Sequence, residues 1–203
     1  MNTTERMRTL GTQISHRHSV AWVMLLGWLV LWVPCTVSAE DAYFSVRDAR
    51  AVLKDGVYLL DANIVYRFSD AALEALHNGI PLVLEMQIKV GRKRDWLWTD
   101  TVAALSRRFR LQYHALSDRY VIHNLNTDQR QSFATLEDAL HGLGLVRGFP
   151  MLDEKLLHAG AEYRASVRAV LLVEELPTPM RLWAYVSDQW GHDSSWYTWR
   201  LQP

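Results

Sequence analysis

At 203 residues, with 22 lysines and arginines against 22 aspartates and glutamates, the chain has the length of one ordinary domain plus a targeting segment and no net charge. That balance supplies no strong field for nucleic acid or an anionic lipid surface, so both partner classes are set aside. Apolar residues make up 49% and aromatics 11%, which suits a packed core and excludes a disordered chain.

The first element is apolar. Val20 to Val33 (VAWVMLLGWLVLWV) is an uncharged run of 14 residues, short of the ~20 that cross a hydrocarbon core. Arg6, Arg8 and Arg17 precede it and Pro34 stops it. Val37-Ser38-Ala39 then places small residues at −3 and −1 of a cleavage site before Glu40. These features predict a signal peptide over residues 1–39, cut between Ala39 and Glu40. An uncleaved anchor is the alternative, because Val20 to Ala39 carries no charge over 20 residues. Lipidation at Cys35 is disfavoured by the bulky Trp32, Val33 and Pro34 before it. Cys35 is the only cysteine, so the exported part would form no disulfide and offer no thiol.

From Glu40 onward, alternation with period two dominates, the pattern of strands with one face in a core. An opening strand over about 43–53 meets Lys54-Asp55-Gly56, a tight-hairpin signal. Tyr58, Leu60, Ala62, Ile64, Tyr66 and Phe68 then fall on one face. Ser69 caps a short helix over 70–77, which Asn78-Gly79 ends and Pro81 closes off. Leu82, Leu84, Met86, Ile88 and Val90 form the next apolar row, with Glu85, Gln87 and Lys89 facing away. Phe109, Leu111, Tyr113 and Ala115 alternate with Arg108, Arg110, Gln112 and His114, and Leu116-Ser117-Asp118 turns the chain into a strand over 119–124. Thr135, with Asp138 three residues on, opens a second short helix whose Leu136, Ala139, Leu140 and Leu143 share a face. Tyr163, Ala165, Val167, Ala169, Leu171 and Val173 complete the apolar rows. Pro177 and Pro179 confine their segment to an edge or a connection. The expected fold is mainly β: an antiparallel sandwich of seven or eight strands over 40–203, with two short helices in its connections. A closed barrel is the second choice.

Five segments together resemble one known family. They are Asp55 to Ala62 (DGVYLLDA), Glu74 to Leu82 (EALHNGIPL), Tyr113 to Tyr120 (YHALSDRY), Leu176 to Leu182 (LPTPMRL) and Ser194 to Trp199 (SSWYTW). In that order, and spanning roughly residues 43–201, they resemble the proteobacterial family of domain of unknown function 4390. The resemblance implies an exported protein of Gram-negative bacteria, periplasmic or held at the inner membrane. It also implies an association with a two-component sensor kinase through gene neighbourhood. It brings no activity and no functional residues.

Arg92-Lys93-Arg94-Asp95, followed by Trp96 and Trp98, is the densest charged and aromatic cluster. It reads either as a site for an anionic ligand or partner or, more simply, as a solvated strand end with its tryptophans in the core. Arg107, Arg108 and Arg110 extend that surface only if their strand lies alongside. Trp183, Trp190, Trp196 and Trp199 form either a recognition platform or the closed end of a core. Adjacency in His192-Asp193-Ser194 does not build a triad, which needs nucleophile, base and orienter converging in space. His114 and His123 flank one turn as a weak metal pair without a third ligand. Glu85 with Glu162, and Glu174 with Glu175, read as solvated positions rather than acid–base pairs. Gly142, Gly144 and Gly148 lack the lysine of a phosphate loop.

The sequence thus supports an exported, periplasmic binding or adaptor module without cofactor, metal or catalytic residues. It would recognise a protein or an envelope component and touch the membrane only through its N-terminal segment. Two alternatives stand beside it. A hydrolase on cell-wall or sugar substrates needs a concave pocket with converging acid, base or nucleophile; an apolar-ligand carrier needs a gap between the sheets.

Overall fold

The alternating rows fold as strands whose apolar faces meet. The computed structural model describes residues 44–93, 99–191 and 193–201. The targeting segment with its Ala39–Glu40 junction lies outside the described residues, as do Arg94, Trp96, Trp98 and His192. In chain order come β1 (Phe44–Lys54), β2 (Val57–Tyr66), α1 (Asp70–His77), β3 (Leu82–Lys93), β4 (Thr99–His114), β5 (Arg119–Asn124) and β6 (Arg130–Phe133). Then follow α2 (Leu136–Gly144), β7 (Leu145–Asp153), β8 (Tyr163–Leu171), α3 (Thr178–Val186) and β9 (Tyr197–Leu201).

Two antiparallel sheets result, one of three strands in the order β1-β2-β7 and one of six in the order β6-β5-β4-β3-β8-β9. This is the predicted sandwich, with nine strands among the described residues rather than seven or eight. β6 spans only four residues, and the pairing of β2 with β7 shifts register twice, so neither β6 nor β7 shows a clean period of two. The β1–β2 hairpin turns on Asp55 and Gly56, both at positive φ (52° and 78°), as a two-residue turn between twisted strands requires.

The core joins the two inner faces. Tyr58, Leu60, Ala62, Ile64 and Tyr66 of β2 belong to one buried cluster with Leu82, Leu84, Met86, Ile88 and Val90 of β3 and the matching row of β8. Each large aliphatic side chain buried there contributes about 1.5–3 kcal/mol. Both expected helices are present with the expected caps. The Ser69 hydroxyl accepts the Ala72 N–H at 3.2 Å, and the Thr135 hydroxyl accepts the Asp138 N–H at 3.1 Å. The Pro177–Pro179 segment is indeed a connection, but it winds into α3. Pro177 is its N-cap and Pro179 lies in its first turn, where a missing N–H costs nothing because no acceptor precedes it.

The start of β1 and the segment after α3 share one end of the sandwich. The Phe44 ring meets Tyr66 at 4.9 Å and Phe68 at 5.5 Å, both edge-on. Beside Phe68, the Ser69 hydroxyl donates to the Gln189 carbonyl at 2.7 Å, three residues beyond the end of α3.

Candidate functional site

A six-stranded sheet facing a three-stranded one leaves part of the larger inner face without an opposing strand. α2, inserted between β6 and β7, covers some of that area. Between α2, β7 and the strands β4 and β5 there remains a pocket of about 230 Å³. Arg107, Phe109, Ile122, Asn124, Gln129 and Gln131 line one side; Gly142, Leu143, Leu145, Val146 and Arg147 line the other.

Arg107 reaches this place because β4 keeps its parity. Residues 105, 107, 109 and 111 pair with inner-face positions of β3, Arg107 directly opposite the buried Met86. An arginine therefore occupies an apolar phase of the strand. Its guanidinium carbon lies 5.2 Å from the Phe109 ring and 5.3 Å from the Phe149 ring, held between aromatic faces from both sheets. Arg147, on β7, is fixed differently: its Nη1 donates to the carbonyls of Ala62 (3.1 Å) and Val146 (2.8 Å). Among the described residues, neither guanidinium has a carboxylate within the 4.0 Å of an ion pair. Arg147 does feel Asp61 at longer range. The Asp61 carboxyl is held below the usual aspartate range, first by the Gly148 N–H it accepts at 2.9 Å and then by Arg50 and Arg147.

Asn124 is buried against Phe109 across the β4–β5 pair, its Oδ1 taken by the Asn126 N–H at 3.0 Å. The site thus combines two permanent cations, three amide side chains and an apolar wall. Such a set holds and orients a carboxylate or phosphate, since guanidinium groups keep their protons at all physiological pH.

Apart from Arg107 and Gly142, the residues singled out in the sequence that the structure describes fall elsewhere. Arg92 pairs with Asp100 at 3.3 Å and Lys93 with Glu162 at 3.2 Å, so each of these two described cations already has a carboxylate partner. Lys93 is the first cause holding the Glu162 carboxyl below its ordinary range. Arg107 and Arg108 diverge to opposite faces of β4. Arg108 and Arg110 lie on the outer face, so the three arginines do not form one surface. His114 and His123 pair with Arg119 and Arg110 respectively, four register positions apart, or about 14 Å along the strand. Among the described residues no group of three potential metal ligands occurs. Ser194 is buried, its hydroxyl accepting the Ala169 N–H at 2.9 Å and donating to the Ser195 carbonyl at 3.1 Å, so both bonds go to backbone rather than to a base. Of the tryptophans, Trp190 is buried, Trp196 lies between Lys89 (4.8 Å) and Arg168 (4.7 Å), and Trp183 is exposed.

Glu85 needs correction. The alternation assigned it to a solvated face, yet it is buried. β3 is flanked on both sides by strands whose long side chains lie over its outer face. Arg108 Nε donates to Glu85 at 2.6 Å, Gln87 donates to it at 2.7 Å, and Arg168 donates to Gln87 at 2.9 Å. The apolar stems of the arginines cover what the period-two pattern left to water.

Sequence reasoning missed the pocket, although Leu105-Arg107-Phe109-Leu111 contains its signal, a cation in an apolar row. A second, open concavity lies where the end of α1 meets the β4–β5 turn, lined by His77, Tyr113 and His114 among others. There the Tyr113 hydroxyl donates to Asp118 at 2.8 Å, and His77 Nε2 lies 2.9 Å from the Tyr120 hydroxyl.

Fold and pocket together define a two-sheet antiparallel β domain with an arginine-lined opening along one edge. The chain belongs to the family described as Domain of unknown function (DUF4390), whose family model matches residues 41–200. No curated protein and no solved structure matches it.

Proposed function

We propose that the protein is an exported, periplasmic binding module that seats an acidic group of a protein or envelope partner in the pocket between β4 and β7. The observation behind this reading is the pair Arg107 and Arg147, both lining one pocket with an apolar wall and neither ion-paired among the described residues. Two aromatic rings orient the first and two carbonyls the second, so little side-chain freedom is lost when an anion arrives.

Size narrows the ligand. A volume of about 230 Å³ is smaller than the roughly 300–1,000 Å³ of sites that enclose a whole small molecule. A projecting side chain or chain terminus of a larger partner fits better than a lipid or a sugar unit, which disfavours the carrier reading. Arginine, amide and apolar side chains make up the described lining, and these bind anions rather than relay protons, which favours recognition over hydrolysis. The Arg92–Lys93 strand end is the weaker candidate, because each of these two cations is already paired with a carboxylate, Asp100 or Glu162. Export rests on the cationic flank, the apolar run and the Ala39–Glu40 junction. Intact-mass analysis of cell fractions checks it: Glu40 first in the periplasm, or the full chain in the membrane, supports export, and a full-length chain in the soluble cytoplasmic fraction refutes it.

A photo-crosslinking residue at Gln131, on the pocket lining, tests the site in intact cells. The expected result is a crosslinked partner that disappears in Arg107→Gln and Arg147→Gln but persists in Arg200→Gln, a cation on β9. Crosslinks indifferent to both pocket arginines refute the assignment.

A further inference from the structure

α3 turns its apolar side outward. Ala184 is buried and Met180 packs on the core, while Arg181 donates from Nη2 to the Leu176 carbonyl at 3.0 Å. On the other side Leu182, Trp183, Tyr185 and Val186 are 68%, 76%, 67% and 82% exposed. At 3.6 residues per turn these four, with Pro179, occupy one continuous arc of about 160°. Single exposed apolar side chains are ordinary, but four large ones on a nine-residue helix are not. The helix contains no acid, and Arg181 is its one charged residue.

The chemistry of this face and its place on the domain point to the same occupant. Tryptophan and tyrosine beside leucine and valine, with one cation at the margin, are the residues that settle at a lipid–water boundary: the rings bury apolar area while N–H and O–H stay hydrated. The place is the end of the sandwich where the chain enters. Phe44 packs on Phe68, and the neighbouring Ser69 is bonded to Gln189 just beyond α3. In the sequence, the uncharged run Val20 to Ala39 ends five residues before Phe44. Five residues span at most about 17 Å. A bilayer that holds that run is therefore within reach of the end of the domain bearing α3. We infer that the outer face of α3 is a membrane-docking surface, entering the interfacial layer of a bilayer through Leu182, Trp183, Tyr185 and Val186.

The inference applies to the chain that keeps Val20 to Ala39 as an anchor, not to a form cut before Glu40, and the pocket plays no part in it. It is tested with the full chain in a Cys35→Ser background, reconstituted into phosphatidylcholine vesicles with brominated acyl chains. A polarity-sensitive dye is placed on Leu182→Cys or Val186→Cys, and on Leu116→Cys, fully exposed in the β4–β5 turn, as the reference. The expected result is blue-shifted, bromine-quenched emission at 182 and 186 and water-like, unquenched emission at 116. Trp183→Glu combined with Tyr185→Glu should abolish the shift and quenching at 186 with an unchanged far-ultraviolet circular dichroism spectrum. Water-like emission at 182 and 186 in vesicles overturns the inference. So does a shift that arises without lipid and grows with protein concentration, which would make the face a contact between copies of the chain.

Discussion

Gly144 separates two rules of opposite sign. Replacing a helical glycine with alanine ordinarily stabilises by about 0.5–1 kcal/mol, because alanine loses less backbone entropy. At Gly144, the last residue of α2, a Cβ would lie inside 3.0 Å of the Ile64 carbonyl oxygen and 3.2 Å from its carbonyl carbon. Ile64 is backbone in the middle of the core, paired with Val46 in β1, and cannot swing aside as a side-chain end can. Relieving the clash means moving α2 off β2 or bending β2 itself. Overpacking of this kind costs about 1–3 kcal/mol, and a backbone obstacle belongs at the upper end. Subtracting the propensity gain leaves a net destabilisation of about 2 kcal/mol for Gly144→Ala. Gly142→Ala is the control: its Cβ would meet the edge of the Phe133 ring at 3.1 Å and 3.2 Å, and a ring can tilt. Urea titration followed by tryptophan fluorescence reads both variants. A Gly144→Ala protein as stable as the parent, or more stable, would refute the argument from close approach.

Further outcomes follow from the hydrogen-bond network. Ser194→Ala leaves the buried Ala169 N–H without its acceptor and should cost about 1–3 kcal/mol in denaturant unfolding. Asp61 has a folded pKa below its unfolded one, so the stability it contributes is complete above the ordinary aspartate range and disappears as the pH falls through the depressed value. Asp61→Asn should flatten the stability profile on the acid side of the ordinary aspartate range, below about pH 5, and leave its shape above that unchanged. For Glu85 and Arg108, a double-mutant cycle with Glu85→Gln and Arg108→Ala should give a coupling of about 1–2 kcal/mol. That is below the ~3–5 kcal/mol for breaking a fully buried pair, because the Arg108 side chain is half exposed.

Period two made most of the scaffold legible. Ser69 and Thr135 announced their helices because a hydroxyl ahead of an apolar stripe satisfies the same backbone donors wherever it occurs. Asp55-Gly56 announced its hairpin for an equally local reason. What stayed hidden depends on neighbours distant in sequence. Glu85 reads as solvated until β4 and β8 bring arginine stems over it. Gly144 reads as a poor helix residue until Ile64 lies against it. β7 escaped notice because its two register shifts against β2 break the alternation. Arg147 escaped with it, and so did half of the pocket.

Arg107 shows why the pocket reads as a site rather than a packing defect. Position 107 faces inward in a row with Leu105, Phe109 and Leu111, where leucine would complete the pattern. Stability alone gives little reason for a cation there. Its contacts with Phe109 and Phe149 contribute about 0.5–1 kcal/mol each at partly exposed positions. A leucine between the same two rings would recover a comparable amount by apolar burial. Arg107→Leu should therefore unfold within about 1 kcal/mol of the parent while losing the crosslink from Gln131. A loss of more than about 2 kcal/mol would mean that the arginine is a strut between the sheets, because breaking a required buried contact costs that much. Retained stability with lost crosslinking would place the selection for Arg107 outside folding, in the anion that the pocket receives.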